Sequence, residues 1–163
     1  MSEVIEGTSG TIKGSIGIVV SKYNDSITKN LLEGALRTLK ESGIPDKDIL
    51  VAWVPGAWEL PIVADALLFE KNCQAVIALG AVIRGETSHD QHINRAVSNT
   101  LMQISIERGK PIGFGLLTVN SLEQAIHRSG GNVGNKGEEA ASAVLETLRV
   151  LQKLSPTRPI GLQ

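Results

Sequence analysis

The stretch Ala75-Val-Ile-Ala-Leu-Gly-Ala-Val-Ile-Arg-Gly-Glu-Thr-Ser-His-Asp-Gln-His-Ile93 joins an unbroken apolar run to a polar turn and then to a helical pattern. Residues 75–80 offer no polar side chain to either face. A strand here must be covered on both sides, which argues for a central parallel strand between two helix layers. Ligand chemistry in open α/β sheets gathers at the carboxyl ends of such strands. Arg84, Gly85, Glu86, Thr87, Ser88, His89 and His92 crowd that end, and three other strand ends bring aromatic or polar groups that can converge on the same rim.

Working outward, residues 15–21 form the first core strand, and Tyr23-Asn24-Asp25-Ser26 the turn after it, with Asp25 or Ser26 as helix N-cap. Ile27, Leu31, Leu32, Ala35, Leu36 and Leu39 then repeat at helical spacing up to Gly43, a terminating glycine, with Pro45 beyond it. The plan recurs: strand 49–54, turn 55–59, and a short helix 60–70 with Pro61 in its first turn. The quoted stretch supplies the third strand, the loop 84–88 and a helix over 89–108 that turns Ile93, Val97, Leu101, Ile104 and Ile106 toward the sheet. A fourth strand, 112–117, leads to a short helix ending near Arg128 and opened by an approximate capping box, Ser121 with Gln124. The glycine-rich run 129–135 cannot hold a helix well. A final helix spans 136–153 with Ala140, Ala143, Val144, Leu148 and Leu151 available for packing.

The order β-α-β-α-β-α-β-α-α with right-handed crossovers predicts an α/β three-layer sandwich of flavodoxin-like or Rossmann-like type, a four-stranded parallel sheet flanked by helices. An extended N-terminal arm, 1–13, precedes it, and a loose tail, 155–163, follows. The length of 163 residues fits one domain that buries about two-thirds of its extended-chain surface. A sheet this small has exposed edges, and the arm is positioned to cover one on this or another subunit, so self-assembly is expected.

The chain is 42% apolar and 20% charged with net charge −1, which favours neither nucleic acid nor an anionic membrane as partner. Its start has no basic segment followed by an apolar one, and no apolar run reaches the roughly 20 residues of a membrane span, so a cytoplasmic protein is expected. The single Cys73 lies at the wrong end of the central strand for the rim and reads as a reduced bystander. One cysteine and scattered histidines make no metal cage.

Several activities lack their motifs. The turn after the first strand is Ser21-Lys-Tyr-Asn-Asp-Ser26, not a dinucleotide-binding glycine pattern, and neither a P-loop nor a hydrolase nucleophile elbow occurs. Asp25, Glu59 and Glu86 are too dispersed for a phospho-receiver. What remains is a site for a phosphate ester and a planar partner. The segment Gly85-Glu-Thr-Ser88 opens a helix whose free N–H groups, with a hydroxyl, can receive phosphate oxygens; helix capping uses the same geometry, so both readings stand for Thr87 and Ser88. Arg84 or Arg128 can add a bidentate cation. His89 starts that helix, where the positive dipole end helps keep an imidazole neutral for proton transfer, or it is a surface or capping histidine. His92 and His127 read as surface groups. Tyr23, Trp58 and Phe114 can stack on a heterocycle, although each singly is an ordinary packing residue. Glu59 either caps the second helix or orients a donor, and Lys136 with Glu139 fits a surface ion pair.

Six blocks, Ser21-Lys-Tyr-Asn24, Val54-Pro-Gly-Ala-Trp-Glu59, Gly80-Ala-Val-Ile-Arg-Gly85 with Thr87-Ser-His89, Phe114-Gly-Leu-Leu-Thr118, Glu123-Gln-Ala-Ile126 and Gly134-Asn-Lys-Gly137, together resemble the 6,7-dimethyl-8-ribityllumazine synthase family in order and content. The resemblance implies condensation of 5-amino-6-ribitylaminouracil with 3,4-dihydroxy-2-butanone 4-phosphate, without redox cofactor or metal. It implies Trp58, Tyr23 and Phe114 as aromatic walls, and Ala57, Glu59 and the backbone of Ala81, Val82 and Ile83 as positioning groups. Thr87, the N–H groups at Gly85 and Glu86, and Arg128 hold phosphate; His89 moves protons; Lys136 and Glu139 lie near the phosphate-bearing substrate. It further implies sites between adjacent subunits, with Phe114 and Arg128 from the neighbour, in a pentamer or a 60-subunit shell, and riboflavin synthase as an associated protein. Tyr23, where phenylalanine is common, and Asp90-Gln91-His92 and Gly131-Asn-Val133 depart from the family pattern. Other readings are a binding module that captures riboflavin or its precursor without turnover, and a shell protein with a degenerate site.

Overall fold

Four apolar runs pair in parallel in the order β2-β1-β3-β4, with β1 at Ile16–Ser21, β2 at Ile49–Val54, β3 at Ala75–Ile83 and β4 at Ile112–Val119. The structure, a computed structural model, describes residues 1–155. β1 and β3 fill the interior of the sheet. Every residue of β1 and residues 75–81 of β3 are buried, as runs apolar on both faces require.

Helices α1 (Asp25–Glu41), α4 (Leu122–Arg128) and α5 (Lys136–Leu154) cover one face. There Ile27, Leu31 and Leu39 meet Ile16, Ile18, Val20, Ile77 and Leu145 in one core. On the other face, Leu60, Ala64, Leu67 and Leu68 of α2 (Leu60–Phe69) and Val97 and Leu101 of α3 (His89–Arg108) pack on Val19, Val76 and Ala78. This is the flavodoxin-like three-layer sandwich expected from the pattern. Arg108 fastens the end of α3 to α2: its guanidinium donates to both Asp65 oxygens at 2.8 and 3.1 Å and lies 4.4 Å from the Phe69 ring centre.

Several expectations are corrected. The N-cap of α1 is Asn24, in the left-handed region at φ 59°, ψ 50°, and Asp25 is the first helical residue instead. β3 continues to Ile83 and β4 to Val119, because the two strands keep pairing through Ile83↔Val119. Ile106 is 75% exposed on α3, and Ala143 is exposed on α5, since each falls outside the stripe its helix turns toward the sheet. The run 129–135 forms a small antiparallel hairpin, β5 (Ser129–Gly131) and β6 (Gly134–Asn135). Its turn is aided by left-handed glycines 130 and 134. Ser121 Oγ does accept the Gln124 N–H at 3.2 Å, while the Gln124 side chain reaches the N–H of Asn120 at 2.8 Å, one residue earlier than a regular capping box.

The arm lies along α5 of its own chain. Arg149 donates to the carbonyls of Gly10 and Gly7, and Lys153 to that of Glu6. A side chain at Gly7 would overlap the Glu146 carbonyl, so the arm can lie this close only through a glycine. The expected tail lies outside the described residues from position 156 on.

Candidate functional site

Strand order reverses between β1 and β3, whose following loops leave in opposite directions, and this opens a crevice at their carboxyl ends. β1 stops at Ser21 while β3 runs on, so the backbone of residues 81–83 extends past its β1 neighbour and pairs only with β4. Asn24 spans the gap: its Nδ2 donates to the Ala81 carbonyl at 3.0 Å. The left-handed backbone suits asparagine, which tolerates αL better than other non-glycine residues.

The turn after β2 packs beside this crevice. The Tyr23 N–H donates to the Pro55 carbonyl at 3.0 Å, and a Cβ on Gly56 would stand 3.5 Å from the Tyr23 ring. Residues 57–59 form one tight helical turn, closed by Glu59, whose carboxylate accepts the Gly56 N–H at 3.0 Å. Ala57 is buried, whereas Tyr23 and Trp58 are 74% and 62% exposed. Two aromatic rings therefore face outward where burial would otherwise stabilise them. Trp58 also borders a cavity of about 490 Å³ between α2 and α3, with Ile62, Val97 and Ile104.

The loop after β3 begins when the Arg84 N–H donates to the Val119 carbonyl at 2.8 Å. Residues 84–89 are exposed, the Arg84 side chain included. Ser88 is the N-cap of α3 but its hydroxyl caps nothing; Thr87 Oγ1 accepts only the His89 N–H, at 3.3 Å. Among the described residues, no hydrogen bond uses the N–H groups of Gly85, Glu86, Thr87 or Ser88. Unspent donors at the positive end of a 20-residue helix suit an anion.

A second cluster sits at the free edge of β4. A cavity of about 380 Å³ is lined by Phe114, Gln124, Arg128, Val133, Lys136 and Glu139, among others. Arg128 donates to the Gln124 carbonyl at 3.3 Å, which leaves most of its fork available. Lys136 Nζ lies 3.5 Å from Glu139, the expected surface pair, and both belong to the first turn of α5. That turn is fixed by Asn135, 7% exposed, whose Oδ1 accepts the N–H groups of Gly137 and Glu138 at 2.8 and 3.2 Å, and whose Nδ2 donates to the Asn30 carbonyl of α1 at 3.0 Å.

The residues thus form two groups. Tyr23, Ala57, Trp58, Glu59, the 81–83 backbone, the 85–88 loop and His89 belong to the carboxyl rim; Phe114, Arg128, Lys136 and Glu139 line the other cavity, which none of the rim groups lines. The expectation that Phe114 converges on the rim is corrected. It pairs with Ala78 in the first half of β4, about 17 Å along the strand from Val119, and is 43% exposed because β4 is an edge. Asn24 and Asn135 were not singled out from sequence. An asparagine directly before a helical pattern was the available signal for both. Among the described residues no group of three or more His, Cys, Asp or Glu side chains stands ready for a metal ion. Burial pushes the Cys73 thiol pKa up, against the pull of Lys110 and Lys71, so the thiol is held neutral away from the rim.

Fold and rim together define a flavodoxin-like α/β protein with a crevice at the carboxyl ends of its strands. A sequence model of the 6,7-dimethyl-8-ribityllumazine synthase family matches residues 13–152. A 6,7-dimethyl-8-ribityllumazine synthase of Rhodopirellula baltica is 49% identical over 151 residues, 92% of this chain and 97% of its own, and one of Pediococcus pentosaceus is 43% identical over 148 residues, 89% and 95%. The chain belongs to the 6,7-dimethyl-8-ribityllumazine synthase family.

Proposed function

We propose that this chain carries out the family's reaction in a site built from both groups of residues, one group from each of two adjacent copies. The enzyme condenses 5-amino-6-ribitylaminouracil with 3,4-dihydroxy-2-butanone 4-phosphate to 6,7-dimethyl-8-ribityllumazine, in riboflavin biosynthesis. The arylamine adds to the ketone and water leaves to give an imine. Phosphate is then eliminated through an enol, and ring closure with loss of a second water completes the product. Each step moves protons and none needs an electron sink, so alignment of the substrates and one proton-transfer group can carry the catalysis.

In this reading Trp58, Tyr23 and the neighbour's Phe114 enclose the pyrimidine, while Ala57, Glu59 and the backbone of Ala81, Val82 and Ile83 hold its polar edge and ribityl chain. The N–H groups at Gly85 and Glu86, the Thr87 hydroxyl and the neighbour's Arg128 take the phosphate. His89 shuttles protons, and Lys136 and Glu139 border the four-carbon substrate. The observation that supports a shared site is that the free helix-end amides and two outward rings line no common cavity with the third ring and two cations, which surround a separate one.

Exposed Val51 and Trp53 on the β2 edge and Ile62, Met102 and Ile106 on the α2 and α3 surfaces support burial between copies. Assembly as a pentamer or as a shell of twelve pentamers, in the cytoplasm and with riboflavin synthase consuming the product, is the form proposed. No helix among the described residues is long and apolar enough to cross a membrane.

Complementation tests the shared site. The His89→Ala and Arg128→Ala variants, each inactive alone, are unfolded, mixed and refolded together. If sites are shared, random mixing places an intact His89 opposite an intact Arg128 in about a quarter of sites, and that share of wild-type lumazine formation returns. A mixture as inactive as its components would reject the shared site, and a wild-type chain with no turnover above background would reject the reaction.

A further inference from the structure

We infer that Asn135 is a positioning residue for the four-carbon phosphate substrate, setting where Lys136 stands by clamping the start of α5 to α1. The inference rests on the reaction proposed above. The geometry is unusually constrained for one side chain. Its Oδ1 takes the two first-turn N–H groups of α5, and its Nδ2 reaches across to the Asn30 carbonyl of α1, 105 residues away in sequence. Every polar atom of the amide except one N–H is spent, in a residue that is 7% exposed.

The two glycines nearest the clamp make room for it. A Cβ on Gly34 would fall 2.6 Å from the Asn135 amide carbon, and one on Gly137 would fall 2.7 Å from the Leu31 carbonyl carbon. The helices therefore meet backbone to backbone at this point, with one rotation and one height available to the first turn of α5. Lys136 and Glu139 lie in that turn, and both line the cavity with Phe114 and Arg128.

The cap also has a chemical consequence. Because Oδ1 already occupies the N–H groups of Gly137 and Glu138, this helix end cannot offer them to an anion, unlike the open start of α3. Charge recognition in the cavity then falls on the side chains of Arg128, at the end of α4, and Lys136, whose reach depends on where the clamp puts α5. A lysine held in register binds better than the same lysine on a turn free to fray.

The test is a double-mutant cycle on the assembled enzyme, reading KM for each substrate separately. Lys136→Ala is expected to raise KM for the butanone phosphate about tenfold, Asn135→Ala about five- to tenfold, and the double variant no more than Lys136→Ala alone, because the clamp acts only through the lysine. KM for the pyrimidine should change less than twofold. Hydrogen exchange should show the Gly137 and Glu138 amides opening at least tenfold faster in Asn135→Ala. Should that variant fail to fold, Asn135→Ser, which keeps an uncharged N-cap oxygen and loses the tie to Asn30, enters the same cycle with the same expected non-additivity. Multiplicative losses in the double variant, or equal rises in both KM values, would overturn the clamp while leaving the reaction standing. A wild-type chain without turnover would overturn both.

Discussion

Replacing Gly137 by alanine sets local preference against packing, and the structure decides the sign. Alanine is favoured over glycine inside a helix by about 1 kcal/mol, so propensity alone predicts a more stable protein. The added Cβ would overlap the Leu31 carbonyl oxygen, lie 2.7 Å from its carbon and 3.0 Å from Asn135 Oδ1, where carbon contacts relax at about 3.5–4.0 Å. Neither neighbour is the free end of a flexible side chain, so α1 and α5 must separate by about 1 Å. Overpacking of this kind costs about 1–3 kcal/mol, and the separation weakens the three Asn135 hydrogen bonds, each contributing about 1 kcal/mol. Subtracting the propensity gain leaves a net loss of about 2–4 kcal/mol. Urea unfolding followed by far-ultraviolet circular dichroism at fixed chain concentration measures it, with Ser142→Ala on the exposed side of α5 as a control that should change by less than about 0.5 kcal/mol. A Gly137→Ala protein as stable as the wild type would refute the close helix approach and with it the reason for glycine here.

Replacing His89 by alanine should lower kcat for lumazine formation by about 10²–10⁴-fold with small change in either KM, as expected of a proton-transfer group, and steady-state kinetics check it. Thr87→Val, which removes a hydroxyl beside the open amides, should raise KM for the phosphate substrate by about tenfold while leaving pyrimidine binding intact, measurable by titrating each substrate. Cys73, fully buried, should not react with a thiol reagent until the chain unfolds. Its folded pKa is raised by burial, so the stabilisation from keeping the thiol neutral is complete below the ordinary thiol range, about 8.5, and is lost as pH climbs through that range toward the folded value. The urea midpoint of the wild type should therefore fall more steeply above about pH 8.5 than that of Cys73→Ala.

Most of the fold was legible because its signals are local. Runs apolar on both faces, as at 75–80, admit one kind of strand, and the helical spacing of Ile27, Leu31, Ala35 and Leu39 correctly named the buried side of α1. Failures occurred where a partner element decides. The last residues of β3 and β4 are strand only because each continues to pair with the other. The hairpin at 129–135 is held by two left-handed glycines and by its place against α1. Ile106, two residues beyond Ile104, is turned roughly 200° round the helix from it, so it leaves the sheet-facing stripe and stays exposed.

The candidate site residues could be assigned from sequence to strand ends and helix starts but not arranged relative to one another, for a physical reason. Sequence patterns report which groups end a strand or open a helix, and those assignments located Tyr23, Trp58, Thr87 and His89 at the rim. They report nothing about strand order, and strand order separates β4, with Phe114, from the crevice between β1 and β3. Given four strands arranged as β2-β1-β3-β4, the groups on the outer edge of β4 and the groups beside β2 lie on opposite flanks of one subunit. The open amides of 85–88 follow β3, the neighbour of β4, yet line no part of the cavity beside Phe114, and a pattern read along one strand carries no information about that separation.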